Sequence, residues 1–190
     1  MEDISIIRNF LDLSKTKDQM NSLISEIYWH ELLTSTKTGE QIKIHRKMAY
    51  VTNEKTEYTY ADLIFGGETW NKTLSDIRDQ LNKELGLEFN SVLLNWYKDG
   101  KDEIKWHSDK EKIIGPNPII ACVNLGATRK FWFRKKEIGS EKFFHEVNDG
   151  DLLIMGENCQ KNYLHAILKE KEITEPRISL TFRKCFYENN

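Results

Sequence analysis

The sequence predicts a mainly β fold of the sandwich or jelly-roll type, with two helices packed outside it. Three observations carry that prediction. Short β-type runs fill the second half of the chain, turn residues punctuate them, and two segments of helical apolar spacing stand in the first half.

From Lys17 to Leu33, apolar residues recur at Met20, Leu23, Ile24 and Ile27, with Tyr28 beside them. That is helical spacing, with Thr16 placed to cap it and Asp18 in its first turn. Gln41 to Tyr60 is rich in Ile, Thr and Tyr in polar alternation and reads as a hairpin. A second helix is expected from Asn71 to Leu85, with Leu74, Ile77, Leu81 and Leu85 on one face and Gly86 as its left-handed end. Strands follow at Ser91–Trp96, Ile119–Asn124, Lys130–Arg134, Phe143–Val147, Asp151–Met155 and Ile178–Phe186. Lys98-Asp99-Gly100, Gly115-Pro116-Asn117-Pro118, Asn148-Asp149-Gly150 and Glu175-Pro176 turn the chain between them. No internal repeat or low-complexity segment interrupts this order.

At 190 residues the chain fits one domain able to bury a core without disulfide or metal staples. Cys122, Cys159 and Cys185 are odd in number and share no CxxC spacing, which predicts free thiols in a reducing compartment. The first residues form no secretory signal, and no run reaches the roughly 20 apolar residues of a membrane span. A soluble intracellular protein is expected, with nucleus or cytoplasm open and no sign of an oligomer, so a monomer. The net charge of -2 neither suggests nor excludes nucleic acid. Arg129, Lys130, Arg134, Lys135 and Lys136 form a stretch without acids that, taken alone, reads as a strand edge guarded by charge.

In Trp106-His107-Ser108-Asp109, an extended chain points His107 and Asp109 to the same side. Two histidines and a carboxylate on one face of a metal leave positions open, which suits non-haem iron(II) oxygenases, although a zinc reading stays open on ligand types alone. The third ligand must come from further along. His145 sits within a strand among apolar neighbours, whereas His165 lies beyond the Asp151–Met155 strand and is the better choice. Asn95 and Tyr97 share one face of a strand just before the metal pair. Arg177 and Arg183, six residues apart, share a face of the last strand. Turned inward they would need anions, and a dicarboxylate matches guanidinium groups as bidentate forks.

The ordered set Asn-x-Tyr, His-x-Asp, distant His and Arg-x5-Arg resembles the AlkB family, particularly its animal homologues 2 and 3. The likeness extends through Phe89 to Tyr97, Ile119-Ile120-Ala121 with Gly126 to Arg129, Gly150 to Met155, Glu175-Pro176-Arg177 and Leu180 to Arg183. Tyr58-Thr59-Tyr60 upstream shares it, so that it covers about Arg46 to Tyr187. The resemblance implies a double-stranded β-helix. Residues 1–88 would supply N-terminal helices and a nucleotide-recognition lid, and 89–190 the catalytic jelly-roll core, within one domain. It implies Fe(II) on His107, Asp109 and His165, with Arg183 counted beside them in catalysis. It implies 2-oxoglutarate on Asn95, Tyr97, Arg177, Arg183 and Ser179, with Arg177 and Tyr97 at the distal carboxylate. The implied reaction uses O2 to turn 2-oxoglutarate into succinate and CO2 and to hydroxylate an N-methyl group, which leaves as formaldehyde.

A methylated base must leave its stack to be reached, and N1-methyladenine or N3-methylcytosine already pairs poorly. The expected partner is therefore methylated DNA or RNA, single-stranded or locally opened. Tyr58 and Tyr60 resemble the family's lid aromatics, while Arg46 and Lys47 resemble its phosphate-tracking basics, a track that Arg129 to Lys136 would extend. Many methyl-base repair members carry an acid directly after the metal aspartate. Here Lys110 stands there and Glu111, the next candidate for base contact, follows. Ser179 stands where many relatives have asparagine. Gln41 to Arg46 offers only Ile42 or Ile44 as a wedge for duplex, which predicts a preference for single strands. Two other functions fit parts of the pattern: a 2-oxoglutarate oxygenase acting on a protein, lipid or metabolite, and a jelly-roll binding protein without turnover.

Overall fold

A computed structural model describes residues 3–35, 38–39, 41–53, 57–60 and 63–187. In chain order the elements are β1 (Ile4–Ile7), α1 (Thr16–Glu26), β2 (His30–Ser35), β3 (Gln41–Thr52), β4 (Glu57–Tyr60), β5 (Leu63–Gly66), α2 (Lys72–Leu85), β6 (Ser91–Tyr97) and β7 (Ile104–His107). They continue with β8 (Ile120–Gly126), β9 (Arg129–Lys135), β10 (Lys142–Val147), β11 (Leu152–Met155), α3 (Cys159–Asn162), β12 (Tyr163–Ile167) and β13 (Arg177–Arg183). A seven-stranded sheet runs β1-β11-β8-β13-β6-β3-β2, a four-stranded sheet runs β10-β9-β12-β7, and β4 pairs with β5. The two larger sheets face each other as a jelly roll.

Period-two alternation sorts the core into two layers. Ala49, Val51, Leu94, Val123, Ile154, Leu180 and Phe182 point outward from the large sheet and pack against Met20 and Leu23 of α1 and Leu74, Ile77 and Leu81 of α2. The intervening residues point between the sheets, where Ile120, Cys122, Leu153 and Met155 meet Phe131, Phe133 and Ile167 of the small sheet. Helix α2 forms where expected. The Asn71 side chain accepts from the Leu74 N–H at 2.9 Å, and Gly86 closes the helix at φ 64°.

Four expectations change. Helix α1 stops at Glu26 instead of Leu33, because the chain turns extended at Ile27 and its next residues become β2, paired with β3. Thr16 lies within the helix, and its hydroxyl donates to Leu13 O at 3.1 Å and to Asp149 at 2.7 Å. The Gln41–Tyr60 hairpin is absent as such. β3 is one long strand between β2 and β6, and β4 turns back on β5 instead. The sheet also crosses the expected boundary at residue 88: β1, β2 and β3 complete it, so the first part of the chain builds core as well as cover.

Candidate active site

The site lies between the sheets, on inward positions of β6, β7, β12 and β13. His107 ends β7 and His165 is its direct cross-strand partner on β12, which brings the ring centroids to 4.2 Å. Asp109 follows β7, and its backbone N–H is held by the Gln160 side chain at 2.8 Å. One donor atom from each of His107, Asp109 and His165 lies within 4.8 Å of the other two, the one such group among the described residues. Nε2 of His107 is 3.5 Å and Nε2 of His165 is 3.8 Å from Asp109 Oδ1. His107 Nδ1 is 2.8 Å from the Lys105 carbonyl. A carbonyl only accepts, so Nδ1 carries the proton and Nε2 keeps its lone pair for a ligand. Phe131 stacks on His165 at 5.6 Å and fixes that ring by packing.

Electrostatics suit a divalent cation. Burial pushes the Asp109 carboxyl up, but Arg183 and the two histidines outweigh it and hold the group at about 2. Arg183 Nη2 donates to Asp109 Oδ2 at 2.6 Å. Burial, and then the charge of His107, takes His165 down to about 3. At neutral pH His165 is therefore uncharged and Asp109 is a carboxylate, and with His107 they make the two-histidine, one-carboxylate donor set of a facial iron site.

The co-substrate candidates form a row beside it. Asn95 and Ser179 are cross-strand partners, as are Tyr97 and Arg177. All four are buried. Arg177 lies 5.0 Å over the Tyr97 ring, and its Nε donates to Asn124 Oδ1. Its Nη1 is buried with no acceptor among the described residues, and burial lowers its pKa. A buried guanidinium with an open donor is costly unless an anion completes it, so the Tyr97–Arg177 end of the row fits a carboxylate. His107, Asp109, His165, Asn95, Tyr97 and Arg183 line one pocket. Cys122 and Thr181 also line it; burial pushes the Cys122 thiol up to about 11, so it stays neutral.

The substrate candidates divide differently. Arg46 is buried, donating from Nε to Asn95 Oδ1 at 3.0 Å and from Nη1 to the Glu103 carbonyl at 3.1 Å. It is held behind Asn95, which lines the pocket, and does not reach out to phosphate. Glu111 Oε1 is 3.7 Å from Arg183 Nη1, so it serves the iron-side arginine in this state. The Tyr58 and Tyr60 side chains, like those of Ile42 and Ile44, lie outside the described residues. In the basic stretch Arg129 is 1% exposed. Its guanidinium binds Glu170 at 3.1 Å and the Asp99, Asp102 and Leu168 carbonyls, a structural anchor where the resemblance implies a phosphate track.

Two residues that hold the site escaped the sequence reading. Asn124 shares the inward parity of Cys122 in an otherwise apolar strand, and an inward amide with no apolar role was a usable signal. Gln160 carries no such pattern, since it acts from the four-residue α3.

The model of the 2OG-Fe(II) oxygenase superfamily matches residues 3–183. The bovine alpha-ketoglutarate-dependent dioxygenase alkB homolog 3 is 31% identical over 194 residues, spanning 96% of this chain and 66% of that protein. The human DNA oxidative demethylase ALKBH2 is 34% identical over 153 residues, spanning 77% of this chain and 59% of that protein. The chain thus spans less than two thirds of these relatives' length. Among solved structures, OsALKBH1 superposes with a TM-score of 0.65 at 14% identity, covering 96% of this chain and 98% of that one, a likeness of fold.

Proposed function

The chain belongs to the 2OG-Fe(II) oxygenase superfamily, and from that premise we propose that it oxidatively removes methyl groups from N-alkylated nucleic-acid bases. The bases are of the N1-methyladenine and N3-methylcytosine type. The reaction consumes O2 and 2-oxoglutarate, releases succinate, CO2 and formaldehyde, and leaves the unmethylated base. The observation that carries the proposal is the His107, Asp109 and His165 trio beside buried arginines, in a chain about 30% identical to AlkB homologues.

In this reading His107, Asp109 and His165 hold Fe(II), while Asn95, Tyr97, Ser179, Arg177 and Arg183 hold 2-oxoglutarate. Bound there, the pair supplies the oxidising power drawn from O2. The chain's own residues bind, orient and keep the pocket dry. Arg183 holds the Asp109 carboxylate in one orientation through its 2.6 Å bond and Gln160 fixes the backbone of the same residue, as partners of a metal ligand commonly do. Arg177 offers its open Nη1 to the distal carboxylate, with Tyr97 beneath it. Leu93, Ile104, Phe131 and Ile167 line the pocket and exclude water. Residues 1–190 act as one oxygenase domain, monomeric, with single-stranded or locally opened DNA or RNA as substrate.

Mass spectrometry of a single-stranded oligonucleotide carrying N1-methyladenine tests the proposal, in air with Fe(II), ascorbate and enzyme, with and without 2-oxoglutarate. Loss of the methyl group only when 2-oxoglutarate is present is the expected result. Succinate formation without loss, across DNA and RNA lesions, would move the substrate to a protein, lipid or small molecule. The absence of both would sink the oxygenase reading. Duplex should turn over more slowly than single strand, and equal rates would overturn that preference.

A further inference from the structure

The small sheet has a second face, opposite the iron-site residues, that none of this chemistry uses. Along β9 the residues alternate: Phe131 and Phe133 are buried inward, and Lys130, Trp132 and Arg134 point out half-buried. β10 pairs in register, placing Lys142 opposite Arg134 and Phe144 opposite Trp132 on that outward face. The rings gather there. Trp132 and Phe144 have centroids 4.7 Å apart, and Trp106 extends the row onto β7, the edge strand of the sheet. Each ring carries a cation: Lys142 lies 5.2 Å from Trp132, Lys130 5.2 Å from Phe144, and Arg134 4.8 Å from Trp106. Phe144 remains 40% exposed.

Among acids, Glu146 faces Lys130 across the strands. Glu170 lies 3.9 Å from Lys130 but is chiefly taken by Arg129 at 3.1 Å. Glu175 lines the same hollow as Lys130. Among the described residues no acid forms an ion pair with Lys142 or Arg134, so the unpaired positive charge sits at that end of the face. Aromatic planes interleaved with cations suit a polyanion that also has flat rings, which is the chemistry of a single-stranded nucleic acid. We propose that the outer face of the four-stranded sheet binds the strand flanking the target base, with phosphates on Lys130, Arg134 and Lys142 and bases on Trp132, Phe144 and Trp106. One end of the row lies beside the chemistry, since Trp106 is the chain neighbour of His107 on the edge strand β7.

The inference rests on the demethylase reading for its purpose, and its test separates the two. Fluorescence anisotropy would follow binding of unmethylated oligothymidylate and oligouridylate of about 15 nucleotides, close to one binding site's length. The Trp132→Ala, Phe144→Ala double variant should weaken binding at least about tenfold, the smaller end of what losing base-stacking rings costs. Trp132→Leu, Phe144→Leu keeps the apolar cover should the alanines unfold, and should weaken binding in the same direction. Lys142→Gln should lower the slope of log affinity on log salt by about 0.7, the share of one neutralised phosphate. The KM of a long methylated oligonucleotide should rise in step, with turnover of a methylated trinucleotide unchanged.

Weakening of only one oligonucleotide would support the surface and name DNA or RNA as its ligand. Unchanged affinity in folded variants would overturn the surface, and so would an equal loss of trinucleotide turnover. A dimer in the wild type that the variants convert to monomer, with affinity unchanged, would make the face a contact between copies and also overturn it. Wild-type protein that binds through this face but demethylates nothing would instead fail the demethylase reading alone.

Discussion

The two faces of the large sheet share the same strands and the same backbone hydrogen bonds, yet they do opposite things. Outward, Leu94, Val123, Ile154 and Leu180 meet the helices in a layer that is apolar throughout. Inward, one residue away on each strand, stand Asn95, Cys122, Ser179, Arg177 and Arg183. The outward face needs only area removed from water, and many apolar residues would serve it. The inward face holds buried charge, so each group must find a partner or wait for one. Arg183 has Asp109, and Arg129 has Glu170 with three carbonyls. Arg177 Nη1 has none among the described residues, and its contrast with Arg129 separates an arginine that builds the fold from one positioned to bind.

Substitutions on the two faces should therefore fail in different ways. His107→Ala or Asp109→Asn should cut turnover at least about a hundredfold, since loss even of a ligand's supporting partner costs up to that. Circular dichroism should still show the native fold; substantial activity in both variants would remove the iron assignment. On the other face, Leu180→Ala should cost roughly 2–5 kcal/mol of stability without changing the KM for 2-oxoglutarate in the protein that remains folded. A shifted KM there would mean that the faces are coupled. Arg177→Ala should raise the 2-oxoglutarate requirement about ten- to a hundredfold, the worth of a charged hydrogen bond. An unchanged requirement would place the carboxylate anchor elsewhere.

The inward set was legible because parity along a strand is written in the sequence. Asn95 with Tyr97, His107 with Asp109 and Arg177 with Arg183 are even-numbered separations that the structure turns to one side. Helix α2 was legible because its start and stop signals, Asn71 and Gly86, act within one turn of themselves. What escaped depends on partners far along the chain. His30–Ser35 becomes a strand because β3 lies beside it, and Arg129 goes inside because Glu170, 41 residues on, meets it. A basic residue in a basic stretch gives no local hint of either outcome. The outward aromatic row on β9 and β10 was hidden for the same reason, since its rings come together only through cross-strand register.

Acid should attack the inward face first. His165 has an ordinary value of 6.5, which the folded protein lowers to about 3. The unfolded chain therefore takes up a proton that the metal-free folded protein refuses. The stability is present in full above about pH 6.5 and is lost as pH falls towards the folded value, by at most about 1.4 kcal/mol per pH unit for one proton. Asp109, lowered from 3.8 to about 2, adds its share only as pH falls below 3.8. Denaturant titrations of chelator-treated protein at successive pH values should show this slope, and His165→Asn should flatten it. An identical slope in the variant would assign the acid sensitivity to other groups.

The smallest effect belongs to the outward layer. Asn71 accepts from the Leu74 N–H and thereby satisfies one of the four donors that open α2, the helix that covers Leu94 and Leu180. Asn71→Ala leaves that N–H to water, because the cap lies near the surface, and should cost about 1 kcal/mol. For a chain of this length that lowers Tm by roughly 2–4 °C. Among the described residues the side-chain bonds of Asn71 go to Glu26 and Leu74, away from the inward face, so the KM for 2-oxoglutarate and the turnover should stay at wild-type values below the melting range. If both moved with so mild a change, helix packing would be setting the geometry of β6 and β13. The separation of scaffold from chemistry by strand parity would then hold for composition but not for energetics.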